Sequence, residues 1–290
     1  MIFENNIARP LKYIVGLYIM CINTIFNIGK IKMQKLFETY AAVYKQGFMP
    51  IFVKDDWDTG MLLDACRKAG VKAIEYTLRR QDAHEVIPSL PASCPDMKIL
   101  VGSVLDSERI IKQLHRNNPQ LMTFGQLAGC GVHGFISMFE FSSETISKYS
   151  NTHLLVPCAY TPNEAFRMLR DGAHIIKIVE DLSLVRKARA APSHGFCPFF
   201  FTGGMTQARI PEAIDAGAVC IASGFDLMLK GLPKDISSDQ VGEIILGHIA
   251  AVNTARRKCY PELMAKIDAG APDWIDFAPH YHFFTNINGV

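Results

Sequence analysis

From Met33 onward the chain alternates between short apolar runs and longer stretches whose apolar residues return every three or four positions. Eight runs have the length and the β-branched or aromatic content of strands: Met49–Val53, Lys72–Tyr76, Lys98–Gly102, Gly134–Ser137, His153–Val156, His174–Val179, Pro198–Phe201 and Ala218–Ala222. Between them the pattern predicts helices over Asp58–Ala69, Asp106–Arg116, Ser142–Tyr149, Thr161–Asp171, Leu182–Ala190 and Thr206–Ala216. Thr161-Pro162-Asn163-Glu164 joins a capping hydroxyl, an early proline and a glutamate at the third helical position. Asp106, with Arg109-Ile110-Ile111 behind it, reads as another cap. Gly70, Gly172 and Gly217 close three helices. The link after the second strand is the poorest helix, broken by Pro88, Pro91 and Pro95.

Runs this apolar belong to strands buried on both faces, and strand–helix alternation makes the sheet parallel. Eight repeats predict an α/β protein whose sheet closes into a (β/α)8 TIM barrel. The competing architecture, an open doubly wound sheet, usually carries a glycine-rich turn after its first strand. Here that place holds Lys54-Asp55-Asp56-Trp57-Asp58. The barrel is assigned to residues 33–236, with an N-terminal helix opening at Met33. Residues 237–290 add an extra C-terminal helix to about Cys259 and a tail containing Trp274, Phe277, Tyr281, Phe283 and Phe284. Residues 1–32 form an N-terminal extension. Its apolar run Tyr13–Phe26 falls short of the ~20 residues that span a bilayer. Three readings stay open for it: an upstream extension before a start at Met33, a membrane-associated segment, or a signal-peptide core that lacks a small-x-small cleavage site.

Composition adds constraints but little direction. The 290 residues are 49% apolar and 20% charged, which excludes a disordered chain. The net charge is only +2 and no basic block stands out, so no nucleic acid or other polyanion is expected as a partner. The eight cysteines form no Cys-x-x-Cys pair, which fits reduced thiols in the cytoplasm rather than a disulfide framework or a zinc site. His280 and His282 read as packing or solvent residues, and no metal ligand set is predicted.

Two charged residues interrupt strands that should be apolar. Lys177 lies in His174-Ile175-Ile176-Lys177-Ile178-Val179, and Glu75 in Lys72-Ala73-Ile74-Glu75-Tyr76-Thr77. A lone buried charge is costly, so such residues are either paired or functional. Burial disfavours an ammonium ion, and a neutral amine is what a Schiff-base nucleophile needs. A carboxylate across the barrel could move protons for it. A structural Lys–Glu pair, or a lysine leaning out to solvent, is the plain alternative. Arg79 and Arg80 close the second strand, where a guanidinium could fork onto an anion or simply start a solvated helix. Thr202-Gly203-Gly204 follows the seventh strand and Ala222-Ser223-Gly224 the eighth; those two loops are where barrels often bind phosphate through backbone N–H groups.

From Met33 to Lys230 these motifs resemble the 2-keto-3-deoxy-6-phosphogluconate aldolase family, which includes 4-hydroxy-2-oxoglutarate aldolases. Pro50-Ile51-Phe52-Val53, Ile74-Glu75-Tyr76-Thr77-Leu78-Arg79, Val101-Gly102-Ser103-Val104-Leu105, Gly172-Ala173-His174-Ile175-Ile176-Lys177 and Thr202-Gly203-Gly204 are similar to successive motifs of that family. The resemblance implies a class I, cofactor-free and metal-independent aldolase. In it Lys177 forms the Schiff base and Glu75 is the general acid/base. Arg79, Ser103, Thr77, Pro157 and Thr202 would bind the keto acid, and Gly203, Gly204, Ser223 and Gly224 a phosphate. It also implies a cytoplasmic homotrimer acting on a small keto acid, with no membrane partner. The sequence departs from the family where Ile178-Val179-Glu180-Asp181 replaces Phe-Phe-Pro-Ala after the lysine. Ser137-Met138-Phe139 stands for Ser-Pro-Gly, Pro157-Cys158 for Pro-Gly and Ala222-Ser223-Gly224 for Gly-Gly-Ser, and an insertion lies around 117–127. The implied reaction splits a 2-keto-3-deoxy sugar acid, with or without a 6-phosphate, or a 4-hydroxy-2-keto acid, into pyruvate and an aldehyde. A phosphosugar epimerase or isomerase on the same barrel, or a non-catalytic sugar-acid-binding barrel, are the alternatives.

Overall fold

In the computed structural model the described residues are 29–190, 194–195 and 197–280. The apolar run Tyr13–Phe26 and the tail residues Tyr281, His282, Phe283 and Phe284 lie outside them. Eight parallel strands form the sheet: β1 (Phe48–Phe52), β2 (Ala73–Thr77), β3 (Lys98–Gly102), β4 (Gly134–Ile136), β5 (Leu154–Val156), β6 (Ile176–Val179), β7 (Phe199–Thr202) and β8 (Ala218–Gly224). Each pairs with its sequence neighbour, and β8 returns to β1 with Met49 opposite Ala222 and Ile51 opposite Gly224. Between β5 and β6 the ring closes through a bridge of Cys158 to Lys177, where Lys177 N donates to the Pro157 carbonyl (2.8 Å) and Ala159 N to that of Lys177 (3.0 Å). The result is a (β/α)8 TIM barrel.

The helices are α1 (29–46), α2 (Thr59–Lys68), α3 (Ala83–Val86), α4 (Leu90–Ser93), α5 (Glu108–Leu114), α6 (Phe124–Gly129), α7 (Ser143–Tyr149), α8 (Pro162–Asp171), α9 (Leu182–Arg189), α10 (Ile210–Ala216), α11 (Phe225–Met228), α12 (Ser238–Cys259) and α13 (Pro261–Asp268). Thr161 and Glu164 form the expected reciprocal cap of α8. Asp106 does not cap α5: Ser107 does, accepting from Ile110 N, while Asp106 accepts from Ser142 N (2.6 Å) and ties the β3 loop to α7. Two adjacent residues could both cap, and the tertiary partner chose between them. The proline-rich link after β2 forms two one-turn helices, α3 and α4: Pro88 follows the end of α3, Pro91 sits in the first turn of α4, and Pro95 follows its end. The 117–127 insertion contains the start of α6, capped by Thr123 and Gln126. The opening helix is already formed at residue 29, four residues before the expected Met33.

The period of two along each strand divides the core. One face, including Phe48, Phe52, Ile74, Ile99, Val101, Ile176, Phe199 and Phe201, packs under the helices. The other fills the barrel with Met49, Ile51, Ala73, Leu100, Ile136, Val156, Ile175, Phe200 and Ala222. At the ends where the strands begin, α1 lays Leu36, Tyr40, Val43 and Tyr44 over this inner cluster, and Trp274 and Ile275 close over them. The inside is therefore a filled core plugged at one end, leaving the strands' C-terminal ends as the mouth.

Candidate active site

Glu75 and Lys177 sit on the inward face of their strands. Glu75 shares that face of β2 with Ala73, and Lys177 shares that of β6 with Ile175. Their ladder partners are Leu100 and Phe200, both fully buried. Glu75 is 1% exposed and Lys177 4%. Neither the Lys177 amine nor Glu75 Oε2 finds a hydrogen-bond or ion-pair partner among the described residues, so the two do not pair with each other. The plain structural alternative, a Lys–Glu ion pair across the barrel, is thus not what the chain builds.

The seat of the Glu75 carboxylate is Gly102, at the end of β3. A Cβ there would lie 2.0 Å from Glu75 Oε1, so only glycine leaves the space. The motif Val101-Gly102-Ser103 carries no local sign of this purpose, because the contact is made across strands. Ser103 follows with φ +61°, a left-handed conformation costly for a residue with a Cβ. Cys158 borders Lys177: burial pushes its thiol up, against an opposing pull from the lysine. Cys220 lies on the Glu75 side, where burial, with Glu75 adding to it, pushes the thiol up to about 12. Cys158 and Cys220 are therefore protonated thiols that line the interior, not nucleophiles.

The remaining candidates divide. Thr77 is buried and its hydroxyl donates to the Phe52 carbonyl (2.9 Å), which fixes β2 to β1. Arg79 is exposed and lines a cavity of about 350 Å³ with His84, Asn117, Asn118 and Gln120. Neither Lys177 nor Glu75 lines that cavity; it is the insertion that walls it. Arg80 is the buried member of the pair. It donates to Tyr76 Oη (2.8 Å), Thr59 Oγ1 (2.7 Å), both Asp82 oxygens and the Lys54 carbonyl. Burial works against the Asp82 carboxylate, but hydrogen bonds from Arg80 and Tyr76 hold it below the usual range. Arg80 thus ties the loop after β1 to the loop after β2.

Pro157 contributes its carbonyl to Lys177 N, and Thr202 contributes its carbonyl to Glu180 N (2.9 Å). Gly203 and Gly204 have φ +96° and +57°. Arg209 donates to both of their carbonyls, at 3.3 and 3.0 Å. The Ser223 hydroxyl is buried and donates to the Met205 carbonyl (2.8 Å), which binds the β8 end to the β7 loop. Gly224 is covered by Asp226, whose Oδ1 lies 2.2 Å from where a Cβ would stand. The described residues hold no group of three or more His, Cys, Asp or Glu arranged for a metal ion. None of their helices is long and apolar enough to cross a membrane.

No protein-family model and no curated protein sequence matches the chain. Solved structures do match in fold. A native KDPGal structure aligns with a TM-score of 0.56 at 21% identity, over 72% of this chain and 96% of that one. A KDPG aldolase from Legionella pneumophila, holding pyruvate captured at low pH as a covalent carbinolamine, aligns with a TM-score of 0.55 at 19% identity, over 71% and 95%. A thiamine phosphate pyrophosphorylase from Pyrococcus furiosus aligns with 0.51 at 12%, over 71% and 98%. Barrels with different reactions share this architecture, so the chemistry has to be argued from the site.

Proposed function

We propose that this barrel is a class I aldolase, an aldehyde-lyase that cleaves a 4-hydroxy-2-keto acid or a 2-keto-3-deoxy sugar acid to pyruvate and an aldehyde. The observation that carries this reading is the pair of inward, buried and unpartnered groups, Lys177 on β6 and Glu75 on β2. A buried charge without a partner is expensive, and chains keep such residues where they do chemistry. The fold shared with the KDPG aldolases supports the same reading.

The unprotonated Lys177 amine attacks C2 of the keto acid. The carbinolamine hydroxyl takes a proton from Glu75 and leaves as water, giving an iminium. Glu75 takes the proton of the C4 hydroxyl as the C3–C4 electron pair moves into the iminium, leaving an enamine and a free aldehyde. Glu75 then returns its proton to C3; water adds to the iminium, gives a proton back to Glu75, and releases pyruvate and the free amine. Inside an apolar wall such as Leu100, Phe200 and Val156 make, each charge shift is stronger than in water. Arg79 and Ser103, at the ends of β2 and β3, are the groups proposed for the substrate carboxylate, with Thr77, Pro157 and Thr202 shaping the wall. The family resemblance extends the proposal to a cytoplasmic homotrimer.

The test is borohydride reduction in the presence of pyruvate, followed by mass mapping. A pyruvate-sized adduct on Lys177 is expected, lost in Lys177→Ala while that variant remains folded. An adduct on another lysine, or none, would sink the Schiff-base mechanism. Retained interconversion of a phosphosugar without any adduct would move the protein to the isomerase reading.

A further inference from the structure

The loops after β7 and β8 are where barrels of this kind bind a phosphate on backbone N–H groups. In this chain that ground is already occupied by acidic side chains. Glu180 follows β6 with φ +63°, and its Cγ lies 2.4 Å from where a Cβ of Gly203 would stand. Its carboxylate has no hydrogen-bond or ion-pair partner among the described residues. Asp226 folds back over Gly224 in the same way, at 2.2 Å. The Ser223 hydroxyl, at the end of β8, is spent on the Met205 carbonyl.

Two cations stand near these residues, and each already has a partner. Lys54 pairs with Asp226 (3.6 Å), and Arg209 is held on the carbonyls of Gly203 and Gly204. Helix α11, which starts at this place, is four residues long and carries Asp226 in its first turn, so it adds no anion site. A phosphate set over Gly203 and Gly224 would meet two carboxylates, and juxtaposed like charges discriminate strongly against a ligand. A sugar hydroxyl meets the same carboxylates as hydrogen-bond acceptors.

We infer that Glu180 and Asp226 set the specificity of this mouth, and that the aldehyde half of its substrate is an uncharged polyhydroxy chain rather than a phosphorylated one. The inference rests on the aldolase reading proposed above. It is tested in the condensation direction, with pyruvate and either glyceraldehyde or glyceraldehyde 3-phosphate. The native protein is expected to use glyceraldehyde with the higher kcat/KM. Glu180→Gln and Asp226→Asn are each expected to shift the ratio of the two acceptors toward the phosphate ester by roughly 10-fold. Because both acceptors are measured on one preparation, partial unfolding cancels in the ratio. Glu180→Ala serves if the glutamine variant does not fold. A native preference for the phosphorylated acceptor, or a ratio that neither substitution moves, overturns the inference while leaving the aldolase reading intact. Failure of the native protein to form a pyruvate adduct removes both.

Discussion

At the base of the barrel, where the strands begin, side chains complete what the backbone leaves open. Gln46 accepts from Lys72 N and Ala73 N (3.0 Å) and donates to Phe48 O and Ala73 O (2.8 Å), joining β1 to β2 below the last ladder bond. His133, just before β4, accepts from Ile99 N (3.1 Å), and His174, just before β6, accepts from Leu155 N (3.0 Å). Arg256 reaches from α12 to the carbonyls of Val219 and Lys45 and lies over the Tyr44 ring (5.3 Å). At the mouth some positions are in the opposite condition. Glu75 Oε2 and the Lys177 amine find no partner among the described residues, and Ser103 and Glu180 hold positive φ. Buried polar groups that are satisfied hold a fold together; those left unsatisfied or strained cost stability and are kept for chemistry. On that contrast the base keeps the barrel closed and the mouth is free to be reactive.

Two glycines let the contrast be broken from either end. Gly102→Ala places a methyl 2.0 Å from Glu75 Oε1 and must displace the carboxylate. A shift of about 1 Å in a catalytic group can cost ~100-fold in rate, so kcat of the aldol cleavage should fall by about that factor. The thermal midpoint should move little, since Glu75 is not what holds the barrel. A variant with native kcat would show that Glu75 is not the proton carrier.

Gly47→Ala should do the reverse. Gly47 has φ +66°, and a Cβ there would stand 2.6 Å from Arg256 Cζ. Backbone strain and a displaced Arg256 together should cost roughly 1–3 kcal/mol, or about 3–10 °C in Tm. Turnover per folded molecule should be native. An unchanged melting curve would mean that Arg256 does not bolt the base.

The gentlest probe is pH. Burial holds His133 and His153 at about 4, and nearby Lys98 adds to the effect on His133; burial holds His174 at about 3. All three are depressed from about 6.5 in an unfolded chain. The unfolded state therefore takes up protons first as pH falls. The stability from these neutral imidazoles is whole above pH ~6.5 and drains away as the pH drops toward 4 and then 3. Melting curves between pH 7.5 and 4.5 should show Tm falling, and less steeply in His174→Asn. A Tm flat across that range would show that the base does not depend on these rings.

Much of this was legible along the chain. Strand positions came within about two residues because buried parallel strands are unbroken apolar runs, and Lys177 and Glu75 stood out because each violated such a run. The Thr161–Glu164 cap was equally plain, since all its atoms lie within one turn. The choice between Arg79 and Arg80 was not legible. Both are arginines at a strand end, and only the arrival of Thr59 and Asp82 beside Tyr76 decided which would be buried. Helices α6 and α13 are short and owe their formation to what they pack on, so their weak local pattern hid them.

Local chemistry in the sequence therefore determined the eightfold alternation, the inward-facing acid and amine, and the glycines of the mouth loops. Tertiary structure decided what those glycines face. Gly102 makes room for Glu75, Gly203 lies under Glu180, and Gly224 under Asp226. Residues that meet in these pairs are 27, 23 and 2 positions apart, and for the first two no local periodicity relates one partner to the other. Strand register and loop course set their distance, and with it whether a glycine loop receives an anion or already shelters a carboxylate.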